Sequence, residues 1–560
     1  MSDVTILTAK LVRTLDDAVP TGTAVALRGG TILAVGSPEG LAETYPGATV
    51  DDRYSDKVLT PGFVEAHSHM SAGMSTPYFL GYFPRTAPDG TPLPGAQSWQ
   101  GVLDALTAWD AELAPGEILV ANGLDMLFHQ GHTLDRHALD SISATRGILV
   151  QHASGHVSTA NSVLLDKAGF DASTDIEGVV KGADGLPTGE LQEMAAMMPV
   201  MALTGVDFSK GMTTEEGMYA FAADARNHGC TTATDLASFD LVRPGGFELL
   251  DSVTRRDDFA LRIVPATFGG MTHSYEEAKA IADAVVALRP AASPKLVIGT
   301  IKLMLDGSIQ QHTAKLQDPG YVCGHDDGIW NSTPEVFREQ VKAFHEAGLN
   351  IHVHCNGDEA TEVFVDAVEE ELARTPRWNH RHTVTHSQLT TRAQYKRMAE
   401  LGMCANIFSN HIWYWGDQHI DLTVGPDRVR RMNAARTAID AGVTIALHCD
   451  TPVTPLDPLA TASYAAERRT PTGRSWGDEE RISVKEALDA ITIGAAYMLK
   501  LDHLIGSIVP GKHADFAVLD RDPYEVAEPK ELRDITVLGT VVGGHHFPSP
   551  VAAATASALA

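Results

Sequence analysis

Residues 333–354 read TPEVFREQVKAFHEAGLNIHVH, a helical pattern followed directly by a strand. Thr333 can cap the helix, Pro334 suits its first position, and Gly348 follows its last residue. The run LNIHVH is short, largely apolar and typical of a buried strand. A helix that leads into such a strand is the repeating unit of a parallel α/β sheet.

The same alternation continues on both sides of this unit. Helical patterns of about 10 to 16 residues separate the short apolar runs, as in successive strand–helix units on a parallel sheet. Eight strands are predicted, at residues 58–67, 230–236, 261–267, 297–305, 349–354, 382–386, 403–407 and 443–448. These units predict an α/β fold of the (β/α)8 TIM-barrel type over residues 61–499. Residues 75–215 break the alternation, and we expect them to form an elaborated insertion that covers one end of the barrel.

The two ends of the chain have a different texture. Residues 1–60 and 500–548 contain short β-prone runs separated by Gly, Pro and Asp. We therefore expect the two termini to pair into one composite β domain. The last residues, 549–560, are small and weakly apolar, which predicts a flexible tail.

The composition excludes several classes of function. The 560 residues include 43 Lys and Arg against 72 Asp and Glu, a formal net charge of -29 that repels nucleic acid and anionic membrane surfaces. The N-terminal residues lack a signal-peptide pattern, and no segment is apolar for long enough to span a membrane. Five cysteines without a CxxC pair indicate a reducing compartment, so we expect a cytoplasmic location. A homodimer is the first expectation for the assembly, since closed two-fold symmetry is common among soluble oligomers.

Histidines are concentrated where predicted strands end. His67 and His69 follow the first strand, His354 and His386 end two later strands, and Asp450 follows the last one. Active sites in barrels of this type lie at the carboxyl ends of the strands. Any one of these histidines alone would be read as an ordinary buried or surface residue, but their common placement favours a metal site. Imidazoles with one carboxylate suit zinc or a similar divalent ion.

Lys302 lies within the predicted strand VIGTIKLML, where alternation turns its side chain toward the barrel interior. A buried lysine requires a partner or a modification. One interpretation is a salt bridge to Asp306 or Asp450. The other is a lysine that carbon dioxide has carboxylated so that it bridges two metal ions. The residues themselves leave both interpretations open.

Several motifs taken together resemble the amidohydrolase superfamily, and within it the YtcJ-like branch that includes N-substituted formamide deformylase. The resemblance covers residues 4–546. It is carried by PGFVEAHSH, IKLMLDGSIQQHTAKL, HVHCNGD, RHTVTHSQ, ALHCDTPVTPLDPL and GSIVPGKHADFAVLDRDP, which occur in the family's order. This sequence departs from the family pattern at Glu65, at His448–Cys449 and at Gln311–His312, which puts the substrate in doubt and leaves every ligand in place.

The resemblance implies a TIM barrel together with a small β-sandwich built from both termini. It also implies roles for six residues. They are His67 and His69 as first-strand metal ligands, Lys302 as a carboxylated bridging lysine, His354 and His386 as ligands from the fifth and sixth strands, and Asp450 as eighth-strand ligand and general base.

Substrate-binding candidates come from other segments. The stretch SGHVSTANS resembles a family segment that would bring His156 and Asn161 near the substrate, although Ser154 replaces the usual aspartate. His382 shares a strand face with His386 and is a candidate contact, with packing as the alternative. The run NIFSNHIWYWGDQH adds His411, Trp413 and Trp415 where a loop of the barrel should begin. We expect these rings to form an apolar or aromatic pocket, although aromatic residues more often serve packing.

The predicted function is hydrolysis of a non-peptide carbon–nitrogen bond, in an amide or N-substituted formamide, by a metal-activated water. The expected partner is a small, amide-like and possibly aromatic molecule. A deaminase or a carbamate or cyclic-amide hydrolase is the alternative, because the metal site determines the attacking water and not the leaving group. A non-catalytic binding protein is a further alternative, and it would be marked by a missing ligand or a missing Asp450.

Overall fold

The computed structural model describes residues 3–70, 78–87, 90–205, 213–324 and 328–550. Within these ranges it contains the following strands: β1 (Thr5–Arg13), β2 (Thr21–Arg28), β3 (Thr31–Gly36), β4 (Thr49–Pro61), β5 (Phe63–Glu65), β6 (Arg85–Thr86), β7 (Pro92–Leu93), β8 (Leu119–Leu124), β9 (Ile148–His152), β10 (Val157–Ala160), β11 (Val179–Lys181), β12 (Pro187–Gln192), β13 (Cys230–Ser238), β14 (Arg262–Phe268), β15 (Thr300–Met304), β16 (Asn350–Cys355), β17 (Thr383–His386), β18 (Cys404–Ile407), β19 (Thr444–Leu447), β20 (Phe516–Leu519), β21 (Val537–Val542) and β22 (His545–Pro548).

The same ranges contain the following α-helices: α1 (Pro38–Thr44), α2 (Trp99–Glu112), α3 (Arg136–Ile142), α4 (Ser162–Ala168), α5 (Glu193–Met201), α6 (Glu215–Asn227), α7 (Gly246–Thr254), α8 (Tyr275–Leu288), α9 (Pro334–Glu346), α10 (Asp358–Arg374), α11 (Arg392–Leu401), α12 (Asn410–Gln418), α13 (Gly425–Val429), α14 (Ala435–Asp440), α15 (Pro458–Glu467), α16 (Val484–Ala490) and α17 (Ile493–Met498). Short 3₁₀ turns occur at Met126–Phe128, Ala202–Thr204, Arg289–Ala291, Asp478–Glu480, Pro523–Glu525 and Pro529–Asp534, and a π-helical turn occurs at His419–Thr423.

The predicted barrel is confirmed. Eight strands form one sheet in the order β19-β18-β17-β16-β15-β14-β13-β5, and every neighbouring pair is parallel. Each of the eight predicted strands overlaps one of these. A parallel bridge between Ser68 and Thr451 links the two outer strands just beyond their ends, which closes the sheet on itself.

Helix α9 has the predicted ends. The Thr333 hydroxyl accepts a hydrogen bond from the Val336 amide, and Pro334 occupies the first turn, where no amide donor is required. Gly348, with φ at +77°, follows the helix in the left-handed conformation that glycine adopts without steric cost. The buried face of α9 packs on the barrel through Phe337, Val341 and Phe344 and so fixes the position of β16.

Both termini contribute to one mixed sheet of seven strands, in the order β22-β21-β20-β4-β1-β2-β3. Strand β20 pairs antiparallel with β4, so the C-terminal strands continue the N-terminal ones as predicted. Residues such as Leu7 and Phe516 pack on one face of this sheet, and Ile6 and Leu41 belong to a separate core cluster.

Residues 119–192 form a separate five-stranded sheet, in the order β11-β12-β10-β9-β8. It lies within the segment predicted as an insertion, of which residues 75–77, 88–89 and 206–212 are outside the described residues. The predicted tail is also outside them from residue 551 onward. In the described ranges, no helix combines the length and apolar character needed to cross a membrane.

The terminal sheet is joined to the barrel by a buried ion pair. Arg262 on β14 donates a hydrogen bond to the carboxylate of Asp515, which precedes β20. The other oxygen of Asp515 accepts from the Gly543 amide at 2.7 Å. Because both charges are withdrawn from water, each depends on the other for its solvation.

Asp515→Ala is expected to lower the free energy of unfolding by about 3 to 5 kcal/mol, because it leaves the Arg262 charge buried without a partner. Asp283→Ala is the matched control, since it breaks the Lys279–Asp283 pair, whose side chains are both exposed. That variant should change stability by about 0.5 kcal/mol or less. Urea unfolding followed by circular dichroism measures both, and equal effects would contradict the role of the buried pair.

Candidate metal centre

Closure of the barrel brings the first and last strands of the sheet together. The amide of Asp450 donates to the His67 carbonyl at 3.0 Å, and the amide of His69 donates to the Thr451 carbonyl at 2.8 Å. Asp450 Oδ1 consequently lies 3.2 Å from His67 Nε2 and 3.3 Å from His69 Nε2. The two imidazole Nε2 atoms are 3.2 Å apart. Three predicted ligands therefore converge on one point at the carboxyl ends of the strands.

The buried side chain of Glu65 connects the two strand ends that carry His67 and Asp450. Its carboxyl group accepts from the His67 amide at 3.0 Å and from the Cys449 amide at 3.1 Å, so it links the same two strands by its side chain. Burial raises the pKa of Glu65 to about 8 despite these hydrogen bonds. Since Glu65 binds backbone groups on both sides, it positions the ligands and is not one of them.

His386 lies at the end of β17 and faces the same centre. Its Nδ1 is 3.6 Å from Asp450 Oδ2 and 3.3 Å from His448 Nε2. His386 and Asp450 have φ values of +70° and +55°, a left-handed backbone that is sterically costly for residues other than glycine. Such conformations persist only where surrounding contacts enforce them, and they cluster at functional sites. Four residues, His67, His386, His448 and Asp450, each place a possible ligand atom within 4.8 Å of the others.

His448 appeared in the sequence only as a departure from the family pattern, and the structure brings it into the cluster. The Asn406 side chain donates from Nδ2 to the Ala66 carbonyl at 3.1 Å, so its Oδ1 is the acceptor for His448 Nδ1 at 2.9 Å. This assigns the proton of His448 to Nδ1 and directs the lone pair of Nε2 toward His386. His448 directly follows the last residue of β19, at a strand end like the predicted ligands, and that position is the signal that could have identified it.

His354 and Lys302 complete the group that the sequence predicted. His354 donates from Nε2 to the Gly307 carbonyl at 3.1 Å, which leaves Nδ1 available, and its ring lies 4.3 Å from that of His386. Lys302 is buried, and its Nζ has no hydrogen-bond partner among the described residues. The salt bridge to Asp306 or Asp450 that the sequence left open is absent from this part of the chain. Burial lowers the pKa of Lys302 to about 8.

The chemistry of these side chains fits a divalent cation. Burial holds the pKa values of His67, His354 and His386 well below the ordinary value and lowers the pKa of His448 to about 3, so the imidazoles are neutral at pH 7. Neutral imidazole is the form that binds metal. The Nδ1 atom of His67 is buried and has no hydrogen-bond partner in the described structure. The imidazoles of His67, His354, His386 and His448 and the carboxylate of Asp450 therefore present the donor atoms that zinc and similar ions prefer.

A cavity of about 650 Å³ opens above this cluster. Its walls are largely aromatic and apolar, and much of them comes from the insertion and from the loops at the carboxyl ends of the strands. The aromatic and methionine residues that line it are Phe79, Tyr82, Phe83, Phe128, Met194, Met197, Met201, Phe239, Phe268, Met304, Tyr414 and Trp415.

Two of the predicted substrate contacts line this cavity. His156 pairs through Nδ1 with Glu193 Oε2 at 2.8 Å, and its ring lies 4.6 Å from His354. Burial lowers the pKa of His156, but the charge of Glu193 outweighs it and raises that pKa above the ordinary value. Trp415 donates from Nε1 to Asp125 Oδ2 at 2.6 Å. Sequence reasoning did not find Glu193 or Asp125, because each lies in the irregular segment where no periodicity shows which side chains point inward.

Four other candidates lie outside the cavity lining. Asn161 caps α4 and binds backbone groups such as the Ile148 amide, at 3.1 Å. His382 binds the buried His345 at 2.9 Å. His411 packs on Phe408, with ring centroids 4.4 Å apart, and Trp413 stacks on Tyr464 at 4.9 Å. Their contacts in the structure are those of packing and of backbone support.

Comparison with known proteins agrees with this geometry. The sequence pattern of the amidohydrolase family matches residues 55–546. The N-substituted formamide deformylase of Arthrobacter pascens is 28% identical over 565 residues, which cover 97% of this chain and 98% of that protein. YtcJ of Bacillus subtilis is 26% identical over 533 residues, covering 93% of this chain and 95% of that protein. The crystal structure of an uncharacterized metal-dependent hydrolase from Pyrococcus horikoshii superposes with a TM-score of 0.68 at 20% identity, covering 93% of this chain and 98% of that one.

His386→Ala is expected to remove most of the tightly bound divalent metal, because it deletes one donor atom from the cluster. The loss of affinity should exceed the roughly 100-fold that removal of a residue supporting a ligand can cost. His411→Ala is the control, since His411 is a buried histidine that packs on Phe408 outside the cluster. Elemental analysis of protein purified without chelator measures both, and equal metal content in the two variants would contradict the assignment.

Proposed function

The chain belongs to the amidohydrolase family, and from this membership we propose that it is a metal-dependent hydrolase that cleaves the carbon–nitrogen bond of a small N-substituted amide or formamide. The observation that carries the proposal is the convergence of His67, His69, His386 and Asp450 at the floor of an aromatic cavity. No predicted ligand is missing, which argues against a binding protein that has lost its activity.

The proposed site holds one or two ions, with zinc as the ion that neutral imidazoles and a carboxylate favour. Its ligands would be His67, His69, His354, His386 and Asp450, together with Lys302 if the lysine is carboxylated. A divalent ion in this position lowers the pKa of a bound water to about 7 and polarises the substrate carbonyl.

Asp450 is the proposed general base. Burial raises the pKa of Asp450, but its close contact with His69 and the neighbouring Lys302 bring that pKa below the ordinary value, so the carboxylate is ionised at neutral pH. Asp450 can therefore accept a proton from the attacking water at Oδ1 or Oδ2 and then donate it to the departing nitrogen. Proton delivery is needed because an amine leaves as a neutral molecule far more readily than as an anion.

Two observations, the cavity and a relative, support the proposed substrate class. The aromatic and methionine residues of the cavity wall suit an apolar or aromatic substituent on the substrate nitrogen. The relative from Arthrobacter pascens is an N-substituted formamide deformylase, and the likeness to it extends over nearly the whole of both chains. We therefore place formamides and short amides with an aromatic N-substituent first.

Carboxylation of Lys302 is part of the proposal. Its amine is buried, without a hydrogen-bond partner in the described ranges, and lines the cavity floor. The neutral amine attacks carbon dioxide, a nitrogen–carbon bond forms and one proton leaves, which gives an anionic carbamate. The carbamate replaces an unpaired buried cation by two oxygen ligands, which suits a pair of metal ions.

Protein equilibrated with 13C-labelled bicarbonate is expected to show a carbamate resonance in its carbon NMR spectrum. Lys302→Met should abolish that resonance. Lys512→Met should leave it intact, because Lys512 is a partly buried lysine whose Nζ already donates to the Ile505 carbonyl at 3.0 Å. A resonance that survives in Lys302→Met would contradict this assignment.

Asp450→Asn is expected to lower kcat by about 10²- to 10⁴-fold on N-substituted formamides while metal content is kept, because the amide can bind an ion but cannot accept the proton. Asp457→Asn is the matched control in the same loop, since asparagine preserves its cap on α15. Formation of a substituted amine together with a carboxylic acid supports amide hydrolysis. Release of ammonia would indicate the deaminase alternative, and unchanged turnover in Asp450→Asn would contradict its role as base.

A further inference from the structure

One cation in the cavity wall is not used by the proposed mechanism. Arg85, on β6, lines the cavity and donates from Nη1 to the Pro452 carbonyl at 3.2 Å. Pro452 comes two residues after Asp450, and two residues span at most about 7 Å. The guanidinium is therefore held close to the loop that carries the proposed base.

Arg85 has no carboxylate partner among the described residues. Three carboxylates line the same cavity, those of Asp125, Glu193 and Asp450, and each has other partners. A guanidinium offers five N–H donors, and the hydrogen bond to the Pro452 carbonyl uses one of them. Arg85 thus presents unused donors to the cavity, in a chain whose net charge is strongly negative.

The guanidinium is held in place by a rigid aromatic platform. It lies over the Phe79 ring, 4.0 Å from its centroid. The ring itself packs against two glycines. A Cβ added at Gly81 would lie 2.1 Å from Phe79 Cζ, and one added at Gly123 would lie 2.7 Å from Cε2. Two backbone segments therefore lie directly against the ring that supports the guanidinium.

A partly buried cation of this kind favours an anionic ligand. Burial lowers the pKa of Arg85, and the charge of Asp224, which lies beyond ion-pair distance, offsets this desolvation only in part. A planar carboxylate can accept two parallel hydrogen bonds from a guanidinium, and such pairs are stronger than neutral hydrogen bonds. Lys302 is the other lysine or arginine that lines the cavity, but it lies on β15 and belongs to the proposed metal site.

We propose that Arg85, seated on Phe79, binds a carboxylate of the substrate, so that the enzyme acts on N-substituted amides that carry both an apolar or aromatic body and a carboxylate. The inference rests on the proposed function for the bond that is cleaved, but the anion subsite itself does not depend on turnover. Arg85 selects the substrate by binding the substrate's carboxylate, and it takes no part in the movement of protons.

The test uses two matched probes, N-formylphenylalanine and N-formylphenethylamine, which differ by one carboxylate. Arg85→Leu is expected to lower kcat/KM for N-formylphenylalanine on the order of 10- to 100-fold, the loss of a charged hydrogen-bonded pair. Its kcat/KM for N-formylphenethylamine and its metal content should remain unchanged. Arg85→Lys should give an intermediate loss, because it keeps the charge and loses the planar fork.

Arg533→Leu is the matched control. Arg533 also lies over aromatic rings, 4.5 Å from the Trp413 centroid, but it pairs with Glu467 and lies outside the cavity lining. Arg533→Leu should hydrolyse both probes with the kcat/KM of the wild type. Equal losses on the two probes in Arg85→Leu, or no loss on either, would overturn the anion subsite.

Calorimetry separates this inference from the proposed function. Binding of N-formylphenylalanine is measured in the metal-loaded Asp450→Asn protein, with and without Arg85→Leu. If the wild type hydrolyses neither probe, the proposed function fails. The anion subsite still stands in that case when Arg85→Leu weakens the binding of N-formylphenylalanine on the order of 10- to 100-fold. The anion subsite would be overturned if the Asp450→Asn protein did not bind N-formylphenylalanine more tightly than N-formylphenethylamine.

Discussion

The hydrogen bonds that close the barrel between its first and last strands are the constraint on which the site depends. They join the Asp450 amide to the His67 carbonyl and the His69 amide to the Thr451 carbonyl, and Glu65 strengthens the same seam from below. These segments are far apart in the chain and lie at opposite edges of the sheet order. In an open sheet the two histidines could not meet Asp450. Closure of the sheet is therefore what converts separate strand ends into one centre.

Several features of the candidate metal centre are energetically unfavourable for the protein. His386 and Asp450 adopt left-handed backbone conformations, and Lys302 is buried without a partner among the described residues. The imidazole rings of His67, His386 and His448 lie against one another, and burial keeps their pKa values low. A divalent cation, as proposed, would give the ligand atoms of this cluster a partner.

Much of the fold was predictable because local patterns report on it directly. Helix α9 begins after Thr333 and ends before Gly348 as predicted, since capping and glycine conformation act within a few residues. The eight barrel strands were predictable from their apolar runs, and His354 and His386 from their places at the strand ends. His448 was noted only as a departure from the family pattern, although it too directly follows a barrel strand. Trp413 was selected by residue type, which does not distinguish packing on Tyr464 from a place in the cavity.

The sequence by itself determined the barrel, the pairing of the two termini and the residues at the strand ends, because these depend on periodicity and on turn chemistry that neighbouring residues specify. The tertiary structure alone decided which side chains form the cavity wall. Arg85, Glu193 and Asp125 lie within residues 75–215, which interrupt the strand–helix alternation of the barrel, and each contacts residues far away in the chain. Such contacts depend on how the insertion packs over the barrel. No local period in the sequence encodes that packing, because it is set by the complementary shapes of surfaces that exist only after folding.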